Sequence, residues 1–138
     1  MATLTYVDSN VLINAFSEDQ AKLKKAWEVL NDPKRIFLWS NYLKLEVVPK
    51  PTISGKQEQV AIFLKFFDSA QFIPSSDVLI EGAQKLAIAH DLSPMDALHV
   101  AVAIAGHAVE FLTFEKPTKP FFQISPTVIK FTSLYEIF

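Results

Sequence analysis

Two spacings of apolar residues alternate along the chain. Short runs rich in β-branched and aromatic residues predict strands at residues 3–8, 35–39 and 111–113, a brief strand at 71–74, and edge strands at 124 and 128–131. Apolar residues at every third or fourth position predict helices at 11–16, 17–30, 41–48, 56–70, 77–90 and 94–106, and a last short element is expected at 133–138. Strands that alternate with helices predict a three-layer α/β sandwich, with a mainly parallel central sheet flanked by helices.

Several residues mark the predicted ends of these helices. Residues 17–20 resemble a capping box. Ser40 and Ser93 precede helices that their hydroxyls can cap. Pro49 and Pro51 predict that the helix opened by Ser40 stops there, because proline lacks the backbone N–H that an interior helical position needs.

The composition is typical of one compact domain covering residues 1–138. Half of the residues are apolar and 20% are charged, so the chain is expected to fold around a core. The absence of cysteine excludes disulfides, cysteine-type zinc fingers and thiol catalysis.

The start of the chain has neither the basic residues nor the apolar stretch of a secretory signal. The longest apolar run, residues 97–112, is interrupted by polar residues and is shorter than the ~20 apolar residues of a membrane-spanning helix. We therefore expect a cytoplasmic protein without a membrane partner. Its net charge of −2 means that any contact with nucleic acid would depend on bound metal and local lysine clusters.

Three acidic residues are predicted to meet at one edge of the sheet. Asp8 and Glu115 follow predicted strands, and Asp96 begins a predicted helix. In parallel sheets, functional sites form at the carboxyl ends of the strands. Grouped carboxylates repel one another unless protons or cations intervene, and Mg²⁺ and Mn²⁺ prefer oxygen ligands. The pattern therefore indicates metal-assisted phosphoryl chemistry.

Each of these three acids, and Glu46 in the helix predicted at residues 41–48, also has a purely structural interpretation. Asp8 can cap the helix after its strand, and Asp96 is favoured in a first helical turn by the helix dipole. Glu46 taken alone fits a solvated helix face, and Glu115 beside Lys116 fits an exposed loop pair.

Three histidines also occur, and one of them lies close in sequence to an acid. His99 follows Asp96 by one helical turn, within reach of the same site. We interpret it as a hydrogen-bonded core histidine.

Four segments, at residues 6–13, 40–47, 92–101 and 111–116, resemble in order the motifs of PIN-domain nucleases, many of which are toxins of toxin–antitoxin pairs. The resemblance spans nearly the whole chain, and its strength lies in the four motifs together.

This resemblance implies a Mg²⁺- or Mn²⁺-dependent ribonuclease that hydrolyses RNA phosphodiesters. Its site residues are then predicted by position: Asp8, Glu46 and Asp96 hold the metal, Glu115 completes the catalytic acids, Asn10 supports the site by hydrogen bonding, and Thr113 orients ligands or water. The implied partners are the RNA substrate, an antitoxin protein and a second copy in a homodimer.

Two features depart from the family pattern. Glu115 stands where aspartate is usual, and Pro117 and Pro120 stiffen the loop that follows. These departures leave open a second interpretation, a PIN-like module that binds RNA or protein without cleaving it. A phosphoacceptor receiver domain is disfavoured, because Asp8 is followed by Ser9 and Asn10 and not by a second acid.

The helix predicted at residues 56–70 is apolar on more than one side. Its inward stripe is predicted to consist of Val60, Phe63, Leu64 and Phe67. Ile62 and Phe66 point away from that stripe, so they either pack against neighbours within the monomer or form an exposed patch for a second copy or an antitoxin helix.

Overall fold

A computed structural model of the protein describes residues 2–135. Its five strands are β1 (Thr3–Val7), β2 (Arg35–Trp39), β3 (Gln71–Phe72), β4 (Glu110–Thr113) and β5 (Lys130–Ser133). They form one sheet in the order β3-β2-β1-β4-β5, and every neighbouring pair is parallel.

Helices connect the strands and flank the sheet. They are α1 (Ser9–Asn14), α2 (Gln20–Leu30), α3 (Asn41–Val47), α4 (Pro49–Ile53), α5 (Gln57–Ser69), α6 (Asp77–His90) and α7 (Pro94–Ala105), with a 3₁₀ turn at Pro120–Gln123. The predicted three-layer α/β fold is confirmed. Within residues 2–135, no helix is long and apolar enough to cross a membrane.

The helix starts follow the predicted capping chemistry with one difference. The Ser40 and Ser93 hydroxyls accept hydrogen bonds from the backbone N–H of Leu43 and Asp96, as a capping serine does. At α2, however, the cap is Asp19, whose carboxylate accepts two backbone N–H groups, while Ser17 only accepts the N–H of Asp19.

Three predictions near element ends require correction. Pro49 does not simply stop a helix, since α3 ends before it and α4 begins at it; a first-turn position tolerates the missing N–H. Ile124 forms no strand but follows the 3₁₀ turn as a buried residue. In the expected element at 133–138, Ser133 ends β5, residues 134–135 have no regular structure, and residues 136–138 lie outside the described part.

The helix α5 buries a narrower stripe than its sequence predicts. Phe63 and Phe67 are buried, whereas Leu64 is 39% exposed. Ile62 and Phe66 are half-buried and line a cavity of about 290 Å³. Phe66 also packs on Phe37 with 5.4 Å between ring centroids. Both side chains are thus partly covered within the monomer. They are neither fully packed against neighbours nor fully exposed, the two alternatives that the sequence left open.

An aromatic cluster fixes the chain that follows β4. The rings of Phe121 and Phe131 stack with centroids 5.2 Å apart, and each lies within 5.5 Å of Phe111 on β4. Such contacts between rings add to the free energy gained by their burial. They hold the loop between β4 and the 3₁₀ turn close to the sheet edge.

Gly106, directly after α7, allows a close approach between α7 and the sheet. A Cβ at this position would lie 2.7 Å from Cδ1 of the buried Leu38 and 2.8 Å from Cδ1 of Ile73. Gly106→Ala should therefore lower the free energy of unfolding by about 1–3 kcal/mol, the usual cost of overpacking, as measured by urea denaturation.

The control is Gly82→Ala, where an added Cβ meets no atom within 4 Å inside α6. The free energy of unfolding of this variant should increase by roughly 0.5–1 kcal/mol, because alanine loses less backbone entropy than glycine when a helix forms. If Gly106→Ala is as stable as Gly82→Ala, Leu38 and Ile73 move aside and the packing argument is wrong.

Candidate active site

Asp8 lies at the carboxyl end of β1, where it is buried and held by two hydrogen bonds. Its Oδ1 accepts the backbone N–H of Ser9 at 2.9 Å, which caps α1. Its Oδ2 accepts the hydroxyl of Thr113 at 3.0 Å. Since Thr113 ends β4 and β1 pairs with β4 in parallel, the sheet itself brings these two residues together.

Thr113 also receives hydrogen bonds from the residues around it. Its Oγ1 accepts from Nδ2 of Asn10 at 3.2 Å and from the backbone N–H of Glu115 at 3.0 Å. The Oδ1 of Asn10 in turn accepts the backbone N–H of Phe114 at 3.0 Å. Asn10 and Thr113 thus join α1 to the end of β4 and hold the Asp8 carboxylate in one orientation.

Glu46, on α3, lies at the same edge of the sheet. A chain of hydrogen bonds between buried polar groups connects it to β1. Its carboxylate hydrogen-bonds to Nε2 of His99 on α7. Nδ1 of His99 lies 2.6 Å from the hydroxyl of Tyr6, which lies 3.1 Å from the hydroxyl of Ser40. Tyr6, Ser40 and His99 are all buried, so their polar atoms depend on one another for hydrogen bonding.

One arrangement of protons satisfies this chain. Burial raises the pKa of Tyr6, so its hydroxyl stays protonated and can donate to Nδ1 of His99. In the tautomer that accepts this bond, Nε2–H of His99 donates a hydrogen bond to Glu46, while Ser40 donates to the Tyr6 oxygen. Within the described residues, no buried side-chain polar atom is left without a partner.

The electrostatic setting of the two carboxylates differs. Burial raises the pKa of Asp8, and the nearby Asp96 adds to the increase, although an electrostatic interaction with His99 and the Thr113 hydrogen bond oppose it. The hydrogen bond with His99 lowers the pKa of the partly exposed Glu46. Glu46 is therefore the more readily ionised of the two, and Asp8 is the one that a nearby cation would help most.

The donor atoms fit a divalent cation. Asp8, Glu46 and His99 each offer one atom, and these atoms lie within 4.8 Å of one another. Because both nitrogens of His99 are engaged in hydrogen bonds, the carboxylate oxygens are the donors left for an ion. Carboxylate oxygens suit Mg²⁺ and Mn²⁺.

Asp96 begins α7 beside this group but has a cation of its own. Its Oδ2 accepts a hydrogen bond from Nζ of Lys119 at 3.1 Å. Partial burial lowers the pKa of Lys119, but Asp96, Glu115 and Asp8 together raise it, so the net shift is upward and the ammonium stays charged. Among the described residues, the three that approach within 4.8 Å do not include Asp96.

Glu115 is placed by its backbone. Its N–H donates to Thr113, and its carbonyl accepts the Ser133 hydroxyl at 2.6 Å. Its half-buried side chain lies near Lys119 and lines a cavity next to the acidic residues, outside the group of three.

The sequence did not indicate two features of this site. The first is the identity of the partners of His99. Its role as a buried hydrogen-bonded residue is confirmed, but its partners Glu46 and Tyr6 come from distant elements. The second is the contact of Lys119 with Asp96, for which the sequence offers one local signal, the place of Lys119 in the proline-flanked loop after β4.

Solved structures share this fold over nearly their whole length. A toxin–antitoxin complex from Klebsiella pneumoniae is similar with a TM-score of 0.71 and 24% identity, covering 96% of this chain and 99% of that one. VapBC2 from Rickettsia felis, bound to a promoter DNA fragment, gives a TM-score of 0.68 at 15% identity, with 95% and 98% covered. DNA-bound VapBC from Salmonella typhimurium gives 0.69 at 14% identity, with 96% and 98% covered.

Comparison with curated proteins gave no match. Residues 5–117 match the PIN domain, and this segment contains all four acids as well as Asn10 and Thr113. The match covers most of the chain, in agreement with the resemblance of the four motifs. The chain belongs to the PIN domain family.

Proposed function

We propose that the protein is an endoribonuclease that hydrolyses RNA phosphodiester bonds with a Mg²⁺ or Mn²⁺ ion held by Asp8, Glu46 and Asp96. The observation that supports this most is the approach of the carboxylates of Asp8, at the end of β1, and Glu46, on α3, near Asp96. Glu115 is the fourth catalytic acid of the proposal.

A divalent ion held there would neutralise phosphate charge, polarise the phosphoryl oxygen and acidify water. The protein's own residues supply the positioning. Thr113 and Ser9 orient Asp8, and the Tyr6–His99 pair orients Glu46. Fixed ligands of this kind need no rearrangement when an ion or a phosphate enters.

We further propose that this nuclease is the toxin of a toxin–antitoxin pair, acting in the cytoplasm as a homodimer that an antitoxin binds. The similar structures from Klebsiella pneumoniae, Rickettsia felis and Salmonella typhimurium support the pairing, since the first is described as a toxin–antitoxin complex. Co-expression with the protein encoded beside it, followed by size-exclusion chromatography, tests this part.

A second candidate function is a PIN-like module that binds RNA or protein without cleaving it. Lys119 favours this alternative, because its ammonium already balances the charge of Asp96. The Glu115 side chain, longer than the usual aspartate, supports it as well. A module of this kind should show no metal-dependent cleavage and little stabilisation by Mn²⁺.

Removing a proposed ligand should abolish cleavage without unfolding the protein. Loss of a group that merely supports a metal ligand costs about 10–100-fold, so Asp8→Asn and Asp96→Asn should each reduce the Mn²⁺-dependent cleavage rate by more than about 100-fold. The measurement is gel-based cleavage of single-stranded RNA, with circular dichroism to confirm folding. Full wild-type activity in EDTA would rule out the metal-dependent mechanism.

The raised pKa of Asp8 predicts a pH-dependent stability difference in EDTA. Above its ordinary value of 3.8, folding favours the protonated acid, so this group makes the wild-type protein less stable as pH rises toward the raised pKa. Asp8→Asn lacks that contribution. The free energy of unfolding of the variant, relative to wild type, should therefore increase as the pH rises above the ordinary value of 3.8, measured by urea denaturation. A difference that is constant with pH would show that Asp8 titrates normally.

Glu115 allows a graded test of the fourth acid. If its carboxylate serves the site from a longer side chain, Glu115→Asp should keep or improve activity, while Glu115→Ala should weaken Mn²⁺ affinity. Both properties can be measured by cleavage assays over a Mn²⁺ titration. If the alanine variant matches wild type in rate and affinity, Glu115 is a loop residue with no part in catalysis.

A further inference from the structure

A cavity of about 440 Å³ opens beside the acidic residues, on the side of the loop after β4. Glu115 and Asn14 line it toward the acids, and its other walls include Lys22, Lys116, Lys119 and Tyr135. Three lysines and an aromatic ring thus face one space. Its volume lies within the roughly 300–1,000 Å³ of small-ligand sites.

The walls of this cavity are fixed by hydrogen bonds. The Ser133 hydroxyl donates to the carbonyl of Glu115 at 2.6 Å and accepts the backbone N–H of Tyr135 at 3.1 Å. The backbone N–H of Lys119 donates to the carbonyl of Lys116 at 3.0 Å, closing a turn between the two lysines. The backbone positions that carry Lys116, Lys119 and Tyr135 are therefore set before any ligand arrives.

The charges suit a polyanion that must approach an acidic site. The net charge of −2 and the grouped carboxylates repel RNA, so attraction has to come from a local cluster. Lys119 connects the cluster to the acids, since its Nζ lies 3.1 Å from Asp96. A phosphate next to the one at the acids would thus meet the ammonium groups of Lys116 and Lys119.

Tyr135 gives the cavity a surface for a base. Its side chain is 38% exposed, and Nζ of Lys116 lies over the ring, 5.4 Å from its centroid, in the place that a base would share or take when it stacks. Exposed aromatic rings beside cationic groups are the usual way in which proteins bind unpaired bases, because every base offers a stacking face.

We propose, on the basis of the proposed nuclease function, that this cavity binds one nucleotide of single-stranded RNA adjacent to the phosphodiester at the acidic residues. Its base stacks on Tyr135, and its phosphate contacts Lys116 and Lys119. The protein would thus hold the RNA by the nucleotide on one side of the cleaved bond.

The test measures binding apart from cleavage. A short fluorescent single-stranded RNA is titrated in EDTA against Asp8→Asn, and then against the same protein with a second substitution. Tyr135→Ala should weaken binding about ten-fold, as loss of one base–aromatic stack does, whereas Tyr135→Phe should keep it. Lys116→Ala should lower the slope of log affinity against log salt by about 0.7, the value for one phosphate contact on a single strand.

Lys85→Ala is the matched control, because this exposed lysine lies on α6 and lines a different cavity. It should change neither affinity nor salt slope. If adding Tyr135→Ala or Lys116→Ala to Asp8→Asn leaves RNA binding unchanged, the proposed nucleotide site is wrong. Loss of binding to a protein partner in those variants would not rescue it. If the unmutated protein neither binds nor cleaves RNA, the proposed nuclease function fails, and this site fails with it.

Discussion

The parallel pairing of β1 with β4 is the contact on which the candidate site depends. Thr5, Tyr6 and Val7 lie opposite the first three residues of β4, although about a hundred residues separate the strands in sequence. The backbone N–H of Asp8 continues the pairing by donating to Leu112 at 2.9 Å. The Thr113 hydroxyl then reaches Asp8, and the positions of Asn10 and Glu115 follow from Thr113. A shift of one residue in this register would turn Thr113 to the other face and separate these groups.

Three acids of the candidate site, Glu46, Asp96 and Asp8, are compensated in three different ways. Glu46 has a hydrogen bond from an imidazole, and Asp96 has an ammonium group. Asp8 accepts hydrogen bonds from a hydroxyl and a backbone N–H, lies near His99, and is the most buried of the three. Burial without a full opposite charge is costly for a carboxylate. Binding of a cation would therefore be most favourable at Asp8, with the ionised Glu46 beside it.

Local signals in the sequence predicted most of the fold. The bounds of β2 and α6 were predicted without error, because alternation, helical spacing and capping residues act within a few positions. Pro49 was misread, since a proline that stops one helix can also begin the next. The sequence predicted Asp8 and Glu115 at one edge because each follows a strand, and Asp96 there because it begins a helix. It could not predict the contact between Lys119 and Asp96 or the Tyr6–His99–Glu46 chain, because each joins residues from distant elements.

The loop after β4 gains a different meaning from its contacts. Its prolines and Glu115 depart from the family pattern, and by sequence these departures left open a module that binds without cleaving. In the structure, the ring cluster of Phe111, Phe121 and Phe131 anchors the far end of this loop, and Thr113 and Ser133 anchor its start. A loop held at both ends keeps its lysines beside the acids at little entropic cost on binding. In the proposed nuclease, the stiff loop holds both Glu115 and these lysines beside the acids, so a protein with a negative overall charge would attract a polyanion locally.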